Sequence, residues 1–329
     1  MSRHPRRRSA LLLALAAPLI AAAAVRAGQA PSDEPKAGFA DAVLGRWDVT
    51  VQGTDGPYPS WFDIQLRKET ELMARFVGRF GSVRHAAAVA FRDGQLTLRI
   101  PVQYEKNKTD LQFEGRVIGD RLEGTTTGET GETLKWTAVR APSLLRDKAP
   151  SWGAPIELFS GRDLRGWKPR AVVKGTEGCW TTPAGILTAS AKCVDLISER
   201  RFEDFKARIE FRYPAKGNSG VYLRGRYEVQ INDDAGRAID PLRMGGVYGF
   251  LRPWVDARRP AGEWQTFDIT LIGRRVTVAL NGRTIIDDEV IPGITGGALD
   301  SSEGEPGPLM LQGDHGKIEF RRITVTPAM

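Results

Sequence analysis

Residues 217–233, GNSGVYLRGRYEVQIND, carry polar side chains whose types could do chemistry on a polar ligand. Glu228 can accept hydrogen bonds or a proton, Arg224 can donate to two oxygens at once, and Gln230 can donate and accept. Apolar residues alternate with these on either side of a turn at 224–226, which predicts two antiparallel strands with Glu228 and Gln230 on one face. We expect Arg224 to reach the same face across the turn. The alternative is a cross-strand Arg–Glu pair that only stabilises the sheet, by roughly 0.2 to 1 kcal/mol.

His315 is the second candidate for proton chemistry. It lies in a loop between two predicted strands, flanked by Gly313 and Gly316, which would let the backbone place it at the rim of a sheet. Its near-neutral pKa suits proton transfer. The alternative is a turn histidine without a chemical role, and for the lone His85 a structural or surface role is the prediction.

The sequence evidence for metal binding and for thiol chemistry is weaker than that for proton transfer. Asp233, Asp234 and Asp240 could bind a hard divalent cation through their oxygens, or they could be a solvated acidic loop. Cys179 and Cys193 lack the further ligands of a zinc site, so a disulfide across a small loop and two buried free thiols remain the alternatives. The sequence contains no nucleophile elbow, no phosphate-binding glycine loop and no H-E-x-x-H motif.

The elements that must position these residues are almost all strands. Short alternating runs from about 40 to 140 predict a small antiparallel barrel or meander of six to eight strands. About a dozen more strands follow residue 156, with turns every 8 to 12 residues, which predicts two packed antiparallel sheets in a jelly roll. The predicted fold class is therefore all-β, with these boundaries: signal peptide 1–27, linker 28–39, small β domain 40–142, linker 143–155 and jelly-roll domain 156–329.

The N-terminus predicts export. A basic start, an apolar run of 15 residues and small residues near Ala27 form the three parts of a signal peptide. An uncleaved anchor is the alternative, although the run is shorter than the roughly 20 residues of a spanning helix. Five of the 47 Lys and Arg precede residue 28 and none of the 40 acidic residues does, so the rest of the chain is close to neutral. We therefore expect a periplasmic or extracellular protein with no later membrane span and no nucleic-acid partner.

Six segments of the C-terminal half occur in order between about 156 and 326 and form a recognisable set. They are IELFSGRDLRGWKP, GCWTTPAGILTA, LISERRFEDFKARIEFRYPAKGNSGVYLRGRYEVQIND, GGVYGF, AGEWQTFDITLIGRRVTVALNGRTIID and GPLMLQGDHGKIEFRRITV. Through these segments the C-terminal half resembles the 3-keto-disaccharide hydrolase family, long classified as a domain of unknown function, and the N-terminal region is similar to a small β domain that accompanies this family in some exported bacterial proteins. The resemblance implies a concanavalin A-like jelly roll that acts on glycosides oxidised to a ketone at C3.

A C3 ketone acidifies the hydrogen at C2, so such an enzyme can remove it, expel the C1 substituent and add water, with net hydrolysis. From side-chain chemistry at family-like positions we expect Glu228 and His315 as base and acid, in an order left open, with Arg224 on the ketone oxygen. The expected sugar-binding residues are Asn218, Gln230, Tyr222, Tyr248 and Glu210. No cofactor is certain, and a divalent metal ion that polarises the ketone remains open.

Two other functions compete with the enzyme. A jelly roll also serves lectins, so a non-catalytic carbohydrate-binding module of the cell envelope is the main alternative. An envelope interaction protein that works through its N-terminal barrel is the third.

Overall fold

The computed structural model describes residues 40–67, 71–106, 108–128, 130–171, 173–191 and 193–329. The predicted leader and first linker, 1–39, lie outside the described residues. Across the described ranges no helix is long and apolar enough to cross a membrane.

The N-terminal region is a nine-stranded antiparallel sheet in the order β4-β3-β2-β1-β9-β8-β7-β6-β5. Only two residues separate β4 from β5, the two edges of the sheet, so the sheet must roll until its edges lie side by side. This agrees with the predicted barrel, with nine strands in the described residues where six to eight were expected. The strands are β1 (Gly45–Gly53), β2 (Gly56–Arg67), β3 (Glu71–Val77), β4 (Arg84–His85), β5 (Ala88–Arg92), β6 (Gln95–Ile100), β7 (Leu111–Ile118), β8 (Arg121–Thr127) and β9 (Thr133–Arg140).

The C-terminal region forms two further antiparallel sheets. An outer sheet has the order β12-β13-β22-β15-β18-β19-β20, with β10 also paired to β22, and an inner sheet has the order β11-β14-β21-β16-β17. A short 3₁₀ turn covers Pro183–Gly185. The strands are β10 (Ile156–Phe159), β11 (Trp167–Pro169), β12 (Trp180–Thr181), β13 (Leu187–Ala189), β14 (Leu196–Phe202), β15 (Phe205–Arg212), β16 (Asn218–Leu223), β17 (Tyr227–Asn232), β18 (Gln265–Ile272), β19 (Arg275–Leu280), β20 (Arg283–Val290), β21 (Gly307–Leu311) and β22 (Ile318–Pro327).

The core of this sandwich comes from alternating apolar residues on both sheets. On β15 the apolar positions beginning with Phe205 are buried, while the charged positions between them are exposed or half-buried, as the alternation predicts. They join residues such as Val221 and Val229 of the inner sheet in one hydrophobic cluster. The predicted all-β jelly roll is therefore confirmed.

The hairpin of β16 and β17 departs from the alternation, because nearly every residue on both of its faces is buried. The face turned away from the sandwich core is covered by loops. The segment after Gly245 hydrogen-bonds along the free edge of β17, and Gly296 lies over Tyr222. The polar face of residues 217–233 is therefore buried beneath loops and is not an open surface.

The barrel packs directly on the sandwich, and the described residues belong to one compact unit. Trp61 and Val77 of the barrel belong to the hydrophobic cluster of the sandwich. A Cβ on Gly293 would lie 2.2 Å from the Trp61 indole, so the absence of a side chain there lets the ring pack against the backbone. Residues 141–155 contain no strand, since β9 ends at Arg140 and β10 begins at Ile156. The domain boundaries themselves remain predictions.

The segment predicted as a linker is held in place. Arg146 forms an ion pair with Asp204 at 2.7 Å, and Arg274 donates to the carbonyl oxygens of Pro142 and Ser143. It is an ordered strap between the two regions.

Candidate functional site

Glu228 lies at the centre of the covered polar face, with a side chain that is 3 % exposed. The antiparallel register places it opposite Tyr222. The Tyr222 hydroxyl is 3.0 Å from Glu228 Oε2 and 2.9 Å from the carbonyl oxygen of Gly296. A Cβ on Gly220 would lie only 2.2 Å from Glu228 Oε1, so the glycine provides the space that the carboxyl group occupies.

Burial raises the pKa of Glu228 to about 8. The Tyr222 hydrogen bond and the positive charge of His315 oppose this shift, whereas the nearby carboxylates of Asp195 and Asp314 add to it. An acid that is half ionised at about pH 8 can both accept and release a proton close to neutral pH. Glu228 therefore has the electrostatics of a general acid or base.

His315 is close enough to Glu228 for their charges to interact. Its Nδ1 forms a short hydrogen bond with Asp314 Oδ1, and its side chain is half exposed. That hydrogen bond raises the pKa of His315 above its ordinary value, although burial opposes it. The other ring nitrogen has no partner of this kind among the described residues, so it can exchange protons with a bound molecule or with water.

Three amide side chains on this face have buried oxygens without a hydrogen-bond partner among the described residues. They belong to Gln230, Gln312 and Asn218. Gln230 is 4 % exposed and Gln312 is 9 % exposed, and the Gln312 amide nitrogen lies 3.5 Å from the Tyr222 hydroxyl. Buried acceptors are usually satisfied, so a group of unsatisfied ones beside a buried acid indicates a site for a hydrogen-bonding ligand.

Asp195 and Arg170 extend the site, and sequence reasoning missed both. Asp195 accepts hydrogen bonds from the backbone N–H of Gly313 at 3.0 Å and from Arg170 at 3.1 Å. It thereby fixes the start of the loop that carries His315. Burial raises the pKa of Asp195. Neither residue stands in a motif, and only the pairing of β14 with β21 brings Asp195 to Gly313.

Tyr248, another of the predicted sugar-binding residues, is hydrogen-bonded to the strand of Glu228. Its backbone N–H donates to the Glu228 carbonyl at 3.0 Å. Burial raises the pKa of the Tyr248 phenol, and the nearby Tyr104 of the barrel adds to the shift. The structure thus brings together six of the predicted residues: Glu228, His315, Gln230, Asn218, Tyr222 and Tyr248.

Two predicted site residues lie elsewhere. Arg224 is fully buried and donates to the Tyr227 hydroxyl and to the carbonyl of Gly273, each at 3.0 Å. Since neighbouring residues of a strand point to opposite faces, an arginine bound to Tyr227 is on the other side of the sheet from Glu228. Glu210 is on β15 of the outer sheet, where it pairs with Arg321. The expectation that either faces the sugar is corrected.

The acidic loop does not form a metal site in this structure. Asp234 is paired with Arg258, and Asp240 with Arg243 at 2.7 Å. Among the residues described here, no group of three or more His, Cys, Asp or Glu side chains is arranged to hold a metal ion. Cys179 and Cys193 form a disulfide with a Cα–Cα distance of 5.3 Å, the first of the two alternatives considered above.

Comparison with known proteins places the sandwich in a family. No curated protein matches the chain. A Parabacteroides distasonis structure, provisionally named a glycosyl hydrolase, is 28% identical over 56% of this chain and 94% of its own, with a TM-score of 0.45. A second structure of that organism and provisional name is 24% identical over 53% of this chain and 98% of its own, with a TM-score of 0.42. A carbohydrate-binding module from Bacillus subtilis is 14% identical over 49% of this chain and 94% of its own, with a TM-score of 0.34.

The family match is to residues 154–326, more than half of the 329 residues of the chain. It covers both sheets of the sandwich and every residue of the site except Tyr104. The chain is therefore a carbohydrate-active jelly-roll protein, and it belongs to the family described as the 3-keto-alpha-glucoside-1,2-lyase-like domain.

Proposed function

We propose that this protein is an enzyme that cleaves 3-keto-glycosides by removing the proton at C2. The observation that carries the proposal is the buried Glu228 carboxyl group, which is hydrogen-bonded to Tyr222, interacts electrostatically with His315 and shares its sheet face with unsatisfied amide oxygens. Family membership supplies the substrate class.

Glu228 is the base in this proposal. Its ionised carboxylate takes the proton from C2, and the C–H electrons form the C2=C3 bond of an enediolate, with negative charge on the former ketone oxygen. A carboxylate whose pKa is about 8 is a stronger base than an ordinary glutamate, because burial destabilises its charge. The Tyr222 hydroxyl can turn to donate to the ionised form and so hold it in place.

His315 is the acid. As the enediolate electrons return, a C1=C2 bond forms, the C1–O bond breaks, and the histidine gives its proton to the departing oxygen. Asp314 favours the protonated histidine before this step. Water then adds to C1 while the proton on Glu228 returns to C2, and the second proton of water restores His315. The net reaction consumes one water and regenerates both groups.

The enediolate oxygen requires donors, and the amides of Gln230 and Gln312 provide N–H groups on this face. Asn218, two residues before Gly220 on the same face of β16, is placed to orient the sugar hydroxyls. Each amide can donate and accept, which suits a ring with several hydroxyl groups. These amides take the role first expected of Arg224.

Export is part of the proposal and rests on the predicted leader. The disulfide Cys179–Cys193 supports it, since disulfides persist in oxidising compartments.

The test is release of a chromogenic leaving group from a 3-keto-glucoside, beside its unoxidised parent. We expect release only from the keto compound, and Glu228→Gln should lower the rate about 100- to 10,000-fold while the circular dichroism spectrum is unchanged. A parallel assay with chelator tests the divalent metal left open by the sequence. Sugar binding without release from either compound would favour the carbohydrate-binding module instead.

A further inference from the structure

The barrel contributes a side chain to the edge of the site. Tyr104 lies between β6 and β7, close enough to the Tyr248 phenol for the two groups to interact, and the Tyr248 backbone N–H donates to the Glu228 carbonyl. The Tyr104 ring is 65% exposed. An exposed aromatic ring of the barrel is therefore linked to β17, the strand that carries Glu228, through a single residue, Tyr248.

The backbone under this ring is firmly held. Glu105 accepts hydrogen bonds from the N–H groups of Gln103 at 2.7 Å and Tyr104 at 3.2 Å, and it is also paired with the half-buried Arg84. The Gln103 side chain binds both the N–H and the hydroxyl of Ser82, at 3.1 and 2.8 Å. A ring presented on such a braced loop loses little conformational entropy when a ligand binds.

The same part of the barrel supports Tyr222. The carbonyl of Arg79 accepts a hydrogen bond from Gly297 at 2.9 Å, and Gly296, next to it, accepts the hydrogen bond from Tyr222. A Cβ on Gly81 would lie 2.8 Å from the Tyr104 ring and a Cβ on Gly296 would lie 2.1 Å from the Gly81 oxygen. The loop beneath Tyr104 and the cover of the catalytic face are thus in direct contact.

We propose that Tyr104 is the binding platform for the leaving group, the second sugar ring of a 3-keto-disaccharide. This inference rests on the proposed function. The buried acid and amides suit the oxidised ring, which must be enclosed, whereas the leaving ring must be able to depart towards solvent. An apolar ring face at the rim matches the C–H face of a sugar, and sites of this kind combine aromatic walls with a few polar groups.

The test compares two ligands that share the oxidised ring. A 3-keto-disaccharide of two glucose units and methyl 3-keto-glucoside are titrated calorimetrically into full-length protein carrying Glu228→Gln, so that neither is consumed. Adding Tyr104→Ala should weaken binding of the disaccharide about tenfold, a typical value for an aromatic contact. Binding of the methyl glycoside should change less than about twofold.

Two control variants separate a platform from a structural role. Tyr104→Phe keeps the ring and loses only the phenol hydroxyl, so we expect disaccharide affinity within about twofold of the parent. Ile118→Ala removes an exposed apolar side chain elsewhere on the barrel and should have no effect. If Tyr104→Phe is as weak as Tyr104→Ala, or if both ligands are weakened equally, the platform is refuted.

A separate measurement, turnover of the 3-keto-disaccharide by the wild-type protein, tests the proposed function. Disaccharide binding that depends on the Tyr104 ring without any turnover would refute the reaction and leave the platform standing. Absence of binding by either ligand would refute the platform.

Discussion

At the residue scale, the Tyr222 hydroxyl has two acceptors and only one proton. When Glu228 is protonated it can donate to Tyr222, which then donates to Gly296. When Glu228 is ionised, the Tyr222 proton turns to the carboxylate. One hydroxyl therefore satisfies both charge states of a buried acid, which is what a group that gains and loses a proton in each turnover requires.

The pH dependence of kcat/KM should report this acid. Glu228 must be ionised and His315 protonated, so we expect a bell-shaped profile with one limb at about 8, where the pKa of Glu228 lies, and none near the ordinary value of 4.5. Tyr222→Phe removes a hydrogen bond that lowers the pKa of Glu228, so this limb should move to higher pH. A wild-type limb near 4.5, or an unshifted limb in the variant, would contradict the assignment.

Gly220→Ala should inactivate the enzyme without unfolding it. The new Cβ would occupy the position of the Glu228 carboxyl group, 2.2 Å from Oε1, and displace the base. Misplacement of about 1 Å costs roughly 100-fold in rate, so we expect kcat to fall by about that factor with little change in melting temperature. Gly304→Ala is the matched control, because the nearest atom to its Cβ is 3.6 Å away. Equal rates for the two variants would show that Glu228 is not the base.

Period-two alternation was enough to predict which residues share the face with Glu228. It failed for Arg224 because this turn residue has a positive φ of 52°, and its side chain leaves the strand pattern and goes to the core side. Asp195 and Arg170 could not be found, since they meet the site only through strand pairing between distant segments.

At the scale of elements, the disulfide joins two segments next to the site. Cys193 is two residues before Asp195, and between them the Val194 carbonyl accepts a hydrogen bond from Trp180 at 2.7 Å. The bridge thus ties the β12 hairpin to the segment that positions the His315 loop. Strand positions were predictable from turn residues and alternation, but two cysteines alone could not show whether they form a disulfide or remain free thiols.

Replacing both cysteines with alanine should lower the free energy of unfolding by about 3 kcal/mol, the loop-entropy value for a separation of 14 residues. Chemical denaturation of the two proteins measures the difference. Reductant should destabilise the wild type to the same extent and leave the double variant unchanged. A wild type that is insensitive to reductant after unfolding and refolding would argue against the bridge.

At the scale of the whole molecule, a buried charged group joins the barrel to the sandwich. Glu303 accepts hydrogen bonds from the Tyr227 hydroxyl at 2.7 Å and from Arg274 at 3.1 Å. Asp48 of β1 is buried beside it, and burial, together with the negative charge of Glu303, raises the pKa of Asp48. No sequence pattern indicates this group, because Asp48 precedes Glu303 by 255 residues along the chain.

Asp48→Asn should make the protein more stable at alkaline pH. A carboxyl group whose pKa is raised by folding stabilises the fold fully below its ordinary pKa, and this contribution is lost as pH rises through the raised value. The amide keeps the size and the polarity but cannot ionise. Melting temperatures from pH 5 to 9 should therefore fall less steeply for the variant than for the wild type, and parallel curves would contradict the prediction.

The position of Trp61 has a consequence for cooperativity. Because this barrel residue is buried in the core of the sandwich, neither half can melt while the other keeps its packing intact. Calorimetry should show a single heat-absorption peak for both. The strap at 141–155 is then dispensable for their association, and a protease that cuts there should leave two fragments that elute together and separate only in denaturant.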